Sequence, residues 1–276
     1  MSRENTQYGG AGIELVRRLS AEGERVFRTA RARELATGIS ESYFRQVLHH
    51  LARSGWLIRL QKGLYAISPT VPGVTPAHEF EIAMHLVQPA AISHWSALSY
   101  HELTDQVPGR VFVLTTAQAS VPKNRGGRNQ STAGGYAVGE TVYRFIQVKP
   151  ERFFGTKKVW VGETRVVVTD LGRTLLDGLT MPRHCGDFAE VLTAFEQGIG
   201  RLDVDRITDY ALRLDQATAK RLGWVLAHMG VEPERLTRLF ELPVSGYRTL
   251  DPSGPRRGPC DGRWRIQENL PGRDGQ

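Results

Sequence analysis

The stretch TGISESYFRQVLHHLARSGWL, residues 37–57, decides the fold of the first part of this 276-residue chain. Its apolar side chains recur at the spacing of one helix face: Phe44, Val47, Leu48 and Leu51. Ser40 can cap the start of such a helix by accepting a hydrogen bond from an orphan amide, and Gly55 suits a left-handed residue after its end. The pattern therefore predicts an amphipathic helix over residues 40–53.

The flanking segments predict the element order of a winged helix-turn-helix. Residues 11–21 have helical periodicity, and a short apolar step follows. Thr29 can cap a short helix that ends before a tight turn at Gly38. After the long helix, two β-prone runs meet at a turn that uses Gly63. We therefore predict a winged helix-turn-helix DNA-binding domain over residues 1–68.

The polar face of the long helix and the hairpin supply the candidate DNA contacts. These are Ser40, Ser42, Tyr43, Arg45, Gln46, His49, Arg53, Arg59 and Lys62. Such a helix fits the major groove, where arginine pairs with guanine and glutamine with adenine, so Arg45 and Gln46 are the predicted base readers. The hydroxyl groups are predicted to donate to phosphates, and the other cations to add backbone contacts. A solvated face of a small interaction domain is the alternative.

The distribution of charge favours a nucleic-acid partner. The formal charge of the chain is +7, and residues 1–67 hold 11 Lys/Arg against 6 Asp/Glu, so most of the excess lies in this segment. A basic segment is drawn to phosphate backbones, and its binding releases counterions.

The rest of the composition argues against several classes of protein. No apolar run reaches the ~18 residues of a membrane span, and residues 1–10 lack the apolar core of a secretory signal. Cys185 and Cys260 stand far apart, which indicates reduced thiols in a cytoplasmic protein and no zinc site. Phosphate-cradling motifs are absent, and His94 and His101 have no third ligand at metal-binding spacing. We therefore expect no cofactor and no metal.

The sequence pattern changes after the proline-containing segment SPTVPGVTP. This segment predicts a linker over residues 69–76. Residues 77–276 mix helical periods with β-prone runs, and three strongly periodic helices come late. This pattern predicts a larger mixed α/β domain with a helical C-terminal part, and an α+β class for the whole chain. Residues 124–135, NRGGRNQSTAGG, form a flexible loop by composition.

Asp170 and Asp177, seven residues apart around LGRTLLDG, are the candidates for acid–base chemistry. The favoured interpretation is structural: Thr169 or Asp170 caps a helix, and Asp177 lies on the exposed side of that helix. No nucleophile elbow is present, so no catalytic residue is expected and the chain is not predicted to be an enzyme.

Several phrases carry a family resemblance: GLYAI (63–67) at the end of the predicted winged helix, AISHWSALSYHELTDQVPGRVFVLTT (91–116), VTDLGRTLLDGLTMP (168–182) and AKRLGWVL (219–226). Together they resemble the AbiEi antitoxins of bacterial abortive-infection, type IV toxin–antitoxin systems, which act in phage resistance. The resemblance runs from about residue 11 to residue 269.

The resemblance implies a DNA-binding antitoxin that represses its own operon by binding inverted repeats in the promoter. It also implies that the C-terminal region opposes a nucleotidyltransferase-like toxin without a stable complex. The DNA-reading helix maps onto residues 40–53 and the wing onto residues 56–68. The matched positions of the second region, whose roles the resemblance leaves open, are His94, Trp95, Tyr100, Asp170, Arg173, Thr174, Asp177, Arg221 and Gly223.

Two other functions remain open at this level. The chain could be a ligand-responsive winged-helix repressor with a small-molecule pocket in its second region. It could also be an antitoxin that modifies its toxin enzymatically, for which Asp170 and Asp177 are the candidate residues.

Overall fold

A computed structural model describes residues 3–122 and 135–270 of the chain, with side chains from Gly10 onward. The predicted loop at residues 124–135 lies outside the described residues, apart from Gly135. The α-helices are α1 (Arg3–Ala21), α2 (Thr29–Leu35), α3 (Glu41–Arg53), α4 (Glu79–Leu86), α5 (His94–Tyr100), α6 (Leu171–Thr180), α7 (Phe188–Gly198), α8 (Val204–Leu214), α9 (Gln216–His228) and α10 (Thr237–Phe240).

The strands of the described residues form three sheets. They are β1 (Val26–Arg28), β2 (Leu57–Gln61), β3 (Leu64–Ile67), β4 (Ala91–Ile92), β5 (Val111–Thr116), β6 (Tyr136–Val138), β7 (Thr141–Val148), β8 (Thr156–Val161), β9 (Thr164–Thr169), β10 (Arg248–Thr249), β11 (Cys260–Asp261) and β12 (Ile266–Gln267). The first sheet has the order β1-β3-β2, the second β6-β7-β5-β4-β9-β8 and the third β10-β12-β11. The predicted α+β class is confirmed.

The first 67 residues have the predicted order of helix, strand, helix, helix and hairpin. Strand β3 pairs antiparallel with both β1 and β2. The β2–β3 hairpin turns at Lys62 and Gly63, and Gly63 has the left-handed φ of +73° that a residue with a side chain rarely adopts. The hairpin of the sequence analysis is confirmed.

The turns and caps around α3 agree with the sequence in three places and differ in one. The Ser40 hydroxyl accepts a hydrogen bond from the Tyr43 amide at 3.3 Å, and Gly38 and Gly55 have φ near +77°. The predicted cap at Thr29 is wrong, because Thr29 is the first residue of α2 and follows Arg28, which makes no side-chain cap. The Thr29 amide donates to the carbonyl of Gly63 instead, so strand pairing satisfies it.

A first core lies between α1, α3 and the first sheet. Its most buried members include Leu19, Phe44 and Val47, which are fully enclosed. Burial of side chains of this size contributes roughly 1.5–3 kcal/mol each. Val71, in the predicted linker, packs into the same core, although residues 69–76 contain no helix or strand.

The first sheet also belongs to a second core. Its opposite face, with Val26, Leu60 and Leu64, packs in one cluster with α4 and the six-stranded sheet. The domain boundaries at residues 68 and 77 stay predictions, but the two regions share this apolar contact.

An ion-pair network reinforces that contact around Arg25. Its guanidinium lies 3.3 Å from Glu81 of α4 and 3.0 Å from Glu163, and donates at 2.6 Å to the hydroxyl of Thr164 on β9. The Thr164 hydroxyl in turn donates to Glu81 at 2.8 Å. Because Arg25 and Glu81 are both nearly buried, this network fixes the first sheet against α4 and β9.

The helices α6–α9 form the largest core, together with the short C-terminal sheet. Trp264 is buried there and packs over Gly223 of α9, so the close approach of the indole needs a residue without a side chain. None of the described helices is both long enough and apolar enough to cross a membrane.

The contact between Gly223 and Trp264 generates a stability prediction. A Cβ at position 223 would lie 2.1 Å from Cζ3 of Trp264, so Gly223→Ala is expected to lower the free energy of unfolding by about 1–3 kcal/mol. Gly200→Ala is the matched control, because a Cβ there meets no atom within 4 Å. Urea unfolding of both variants is monitored by circular dichroism. Equal unfolding midpoints for the two variants would contradict the described contact between Gly223 and Trp264.

Candidate nucleic-acid interface

The helix α3 rests its apolar side on α1 and β2 and turns its polar side to solvent. Its four buried side chains are the predicted ones, Phe44, Val47, Leu48 and Leu51. The side chain of Arg45 is 75% exposed, and Gln46, His49 and Arg53 are also exposed. The predicted division of the helix into a core side and an open side is confirmed.

The exposed side chains of α3 line one shallow depression of about 390 Å³. It is formed by Arg45, Gln46, His49, His50 and Arg53. A helix with such a polar ridge has the width to enter a major groove, which is about 12 Å across in B-form DNA. The arrangement can therefore present guanidinium and amide groups to base edges.

The start of α3 carries the predicted hydroxyl groups. Ser40 and Ser42 are exposed, with their Oγ atoms 3.1 Å apart, and Tyr43 is half-buried against the first core. One hydroxyl proton lies between the two serines, so the other is available for a phosphate oxygen. On the hairpin, Arg59 and Lys62 are exposed.

Two arginines that the sequence analysis did not single out fix the turn before α3. Arg18 donates to the carbonyl of Leu35 at 2.9 Å and to the Thr37 hydroxyl at 2.8 Å. Arg33 donates to the carbonyls of Ala36 and Ile39, at 2.7 and 3.0 Å. These guanidinium groups satisfy turn carbonyls and so set the angle at which α3 leaves the turn.

Most carboxylates of the first 67 residues neutralise arginines away from the hairpin. Glu14 pairs with Arg17 and Arg18, and hydrogen bonds from both lower its pKa to about 2. Glu41 lies 3.0 Å from both Arg33 and Arg45. Three further carboxylates surround Arg31: Glu22, Glu24 and Glu34.

The remaining cations lie near α3 and the hairpin. Arg28, Arg53, Arg59 and Lys62 pair with no carboxylate in the part of the chain that the structure describes. Arg28 is exposed and was not predicted; its backbone pairs with Leu64, directly after the hairpin turn. The pairing of β1 with β3 places it there, a long-range contact that local sequence patterns do not contain.

The matched positions on α6 are buried and bonded to neighbouring elements. Asp170 caps the helix by accepting from the Arg173 amide at 2.9 Å, as predicted, and also accepts from Arg206 and Tyr210 at 2.9 Å. The prediction of an exposed Asp177 is wrong, since its side chain is only 5% exposed. It pairs at 2.8 Å with Arg173, one turn earlier, and both face the core.

Arg173 is the centre of this group. Its guanidinium donates to the carbonyls of Arg152 and Phe154, at 2.7 and 3.2 Å, and lies over the ring of Phe154. Thr174 bonds to Thr169 at 2.7 Å. These contacts tie α6 to β9 and to the segment before β8, so they have an evident structural use.

The other matched positions lie on α5 and α9. Arg221 of α9 is buried and donates to the carbonyl of Thr249 at 2.9 Å, next to the Gly223–Trp264 contact. Tyr100 is half-buried, with the Lys157 ammonium over its ring. Trp95 is partly buried at the junction of two cores, and Leu98 and Leu103 are core residues.

His94 is enclosed at the start of α5. It has a φ of +50°, its Nδ1 lies 2.9 Å from the Ser93 hydroxyl, and its ring contacts His184 edge to face. Burial lowers the pKa of His94 to about 4, although nearby Asp177 opposes the shift. Among the described residues, no three His, Cys, Asp or Glu side chains lie together in a group that could hold a metal ion.

Comparison with known proteins finds a family match within the first region and a similar fold for the whole chain. Residues 14–68 match the family described as "Transcriptional regulator, AbiEi antitoxin". The chain is similar to the crystal structure of the RV2827C protein from Mycobacterium tuberculosis: TM-score 0.68, 15% identity, covering 93% of this chain and 90% of that chain. No curated protein matches the chain at a significant level.

These comparisons confirm part of the predicted resemblance. The family match covers the winged helix, with α3 and the hairpin, and favours a DNA-binding regulator of the antitoxin type. The structural similarity extends over the second region and concerns its fold.

The burial of His94 generates a pH prediction. The unfolded chain takes up this proton near pH 6.5 and the folded chain only near pH 4, so stability falls as the pH drops through this window. The loss from this group is on the order of 3 kcal/mol. His94→Asn keeps a residue that tolerates positive φ and is expected to flatten the pH dependence of the urea midpoint between pH 6.5 and 4.

The exposed His49 supplies the control. His49→Asn removes a histidine from the open face of α3 and is measured over the same pH range. If the urea midpoint of the His94 variant changed with pH as steeply as that of the wild type, the assignment of the pH dependence to His94 would be wrong.

Proposed function

We propose that this chain is a DNA-binding antitoxin and transcriptional autorepressor of a type IV toxin–antitoxin operon. The observation that carries the proposal is the open polar face of α3 beside cations that have no carboxylate partner among the described residues. The family match over the same residues supports it.

In this proposal α3 enters the major groove of double-stranded DNA. Arg45 then exchanges its exposed pair with Glu41 for guanine, at little cost because such surface pairs contribute about 0–1 kcal/mol. Gln46 reads adenine through its amide group. Ser40, Ser42 and Tyr43 donate to phosphates, and His49 and Arg53 line the rest of the face.

The hairpin supplies contacts that do not depend on sequence. Arg59 and Lys62 on the hairpin, and Arg28 beside it, neutralise phosphates and release counterions. Inverted repeats in the chain's own promoter are the proposed operator, and each half-site takes one winged helix.

The second region is proposed to oppose a nucleotidyltransferase-like toxin in the cytoplasm without forming a stable complex. We propose that it does so without catalysis. In support, Asp170 and Asp177, the carboxylates of the enzymatic alternative, are themselves buried and bonded to structural partners. Asp170 bonds to Arg206 and Tyr210, and Asp177 to Arg173.

Two kinds of variant test the proposed DNA binding. A duplex site is first selected from a random library by the full chain. Arg45→Ala and Gln46→Ala are each expected to reduce the ratio of selected to random affinity by about tenfold or more, because a bidentate base contact contributes about 1–3 kcal/mol of discrimination. Lys62→Ala is expected to weaken both affinities equally and to lower the salt slope by about 1.

Arg17→Ala is the matched control for these variants. Its side chain is 69% exposed, close to the 75% of Arg45, but it lies on α1 and pairs with Glu14. If wild type did not distinguish the selected duplex from random DNA, or if Arg17→Ala matched Arg45→Ala, the proposed interface would be wrong.

The antitoxin part predicts rescue of growth. Expression of a nucleotidyltransferase-like gene from the same operon is expected to arrest a bacterial host, and co-expression of this chain to restore growth. Arg45→Ala should keep the rescue while losing repression, because the toxin is opposed by the second region. Failure of wild type to rescue would contradict the antitoxin role, and co-elution of the two proteins would contradict the type IV mechanism.

A further inference from the structure

A cleft of about 640 Å³ opens on the second region, between the end of α4 and the strands β8 and β9. It is lined by Met84, Gln88, Pro89, Ala90, Phe153, Thr156, Lys157, Lys158, Arg165 and Val167. This volume is in the range of small-molecule sites, which run from about 300 to 1,000 Å³. The proposed DNA contacts lie on α3, on the hairpin and at Arg28 of β1, and use none of these residues.

The charged lining of the cleft is of one sign. Lys157, Lys158 and Arg165 are exposed, and the described lining contains no carboxylate. The Lys157 ammonium lies 5.9 Å from the centre of the Tyr100 ring, and the Arg165 guanidinium 5.4 Å from that of Trp160. Neither aromatic contact neutralises its cation, so the cleft favours an anion.

The rest of the lining is largely apolar. Met84, Pro89 and Ala90 come from α4 and the segment after it, and Phe153 and Val167 belong to a small core on one face of the six-stranded sheet. Gln88 and Thr156 add neutral hydrogen-bonding groups. Apolar walls with a few polar groups are typical of sites for organic ligands, whereas a phosphate-only site needs no apolar floor.

We propose that this cleft binds an organic anion with an apolar body and an acidic group such as a carboxylate, sulfonate or phosphate. The apolar body packs on Met84, Phe153 and Val167. The acidic group is held by Lys158 and Arg165, with Lys157 at the rim.

The position of the cleft links it to the winged helix. Met84 lies one turn after Glu81 on α4, and Arg165 directly follows Thr164 on β9. Glu81 and Thr164 are the residues that hold Arg25 of the winged helix, and the Val167 amide donates to the Met84 sulfur at 3.4 Å. A ligand between α4 and β9 therefore acts on the elements that fix the first sheet, and its binding alters DNA affinity, an effect that rests on the proposed function.

The test uses the full chain and the fluorescent probe 8-anilinonaphthalene-1-sulfonate, an aromatic anion. The probe is expected to saturate one site per chain. The double variant Lys158→Gln/Arg165→Gln is expected to weaken probe binding about tenfold or more, because it removes the two cations that hold the acidic group. The neutral N-phenyl-1-naphthylamine should bind wild type and this variant alike.

The matched control is Arg59→Gln/Lys62→Gln, which removes two exposed cations from the hairpin and should leave probe affinity unchanged. Equal affinity in wild type and the cleft variant, or equal weakening in the two double variants, would overturn the site.

The link to DNA is measured separately, as the affinity of the selected duplex with and without saturating probe. A shift in DNA affinity that disappears in the cleft variant supports the coupling, and an unchanged affinity overturns it. Absence of duplex binding by wild type would refute the proposed function, and the fluorescence titration would still decide on the site.

Discussion

The burial of one apolar stripe determines what α3 can do. Phe44, Val47, Leu48 and Leu51 occupy the first core, and this packing sets the rotation of the helix about its axis. Because a helix repeats every 3.6 residues, the positions between them must then face outward. Arg18 and Arg33 add to the constraint by bonding the turn before α3. The position of the proposed DNA-facing surface is therefore a consequence of core packing rather than of the polar residues themselves.

The first sheet connects the core under α3 to the second region. One of its faces belongs to the core that supports α3, and the other packs on α4 and the six-stranded sheet. The ion pair and hydrogen bonds among Arg25, Glu81 and Thr164 stabilise this contact. Because β9 and α4 also border the basic cleft, the proposed DNA-binding and ligand-binding surfaces share one structural support.

Local sequence patterns predicted the winged helix well because its signals are local. Periodicity, the Ser40 cap and the glycines at 38, 55 and 63 each act within a few residues. The same patterns failed where contacts between residues distant in sequence determine the burial or position of a residue. Asp177 is buried through Arg173, Thr29 is satisfied by strand pairing, and Arg28 reaches the hairpin through β3.

Within the candidate site, sequence could identify the exposed residues of α3 but could not separate free cations from paired ones. The first region has 11 basic residues, but several of them pair with Glu14 or Glu41 or donate hydrogen bonds to turn carbonyls. The cleft was also beyond sequence reasoning, because its lining comes from α4, the segment before β8, and two strands.

The most direct test of the account is to map where α3 lies on DNA. In a Cys260→Ser background, a cutting iron chelate is attached through a single new cysteine, at Gln46→Cys or at Arg17→Cys; the remaining Cys185 is buried. If α3 lies in the major groove, the selected duplex is cleaved at a few adjacent base pairs from position 46 and is not cleaved from position 17. Scattered cleavage from position 46 on protein-bound DNA, or equal cleavage from both positions, would contradict it.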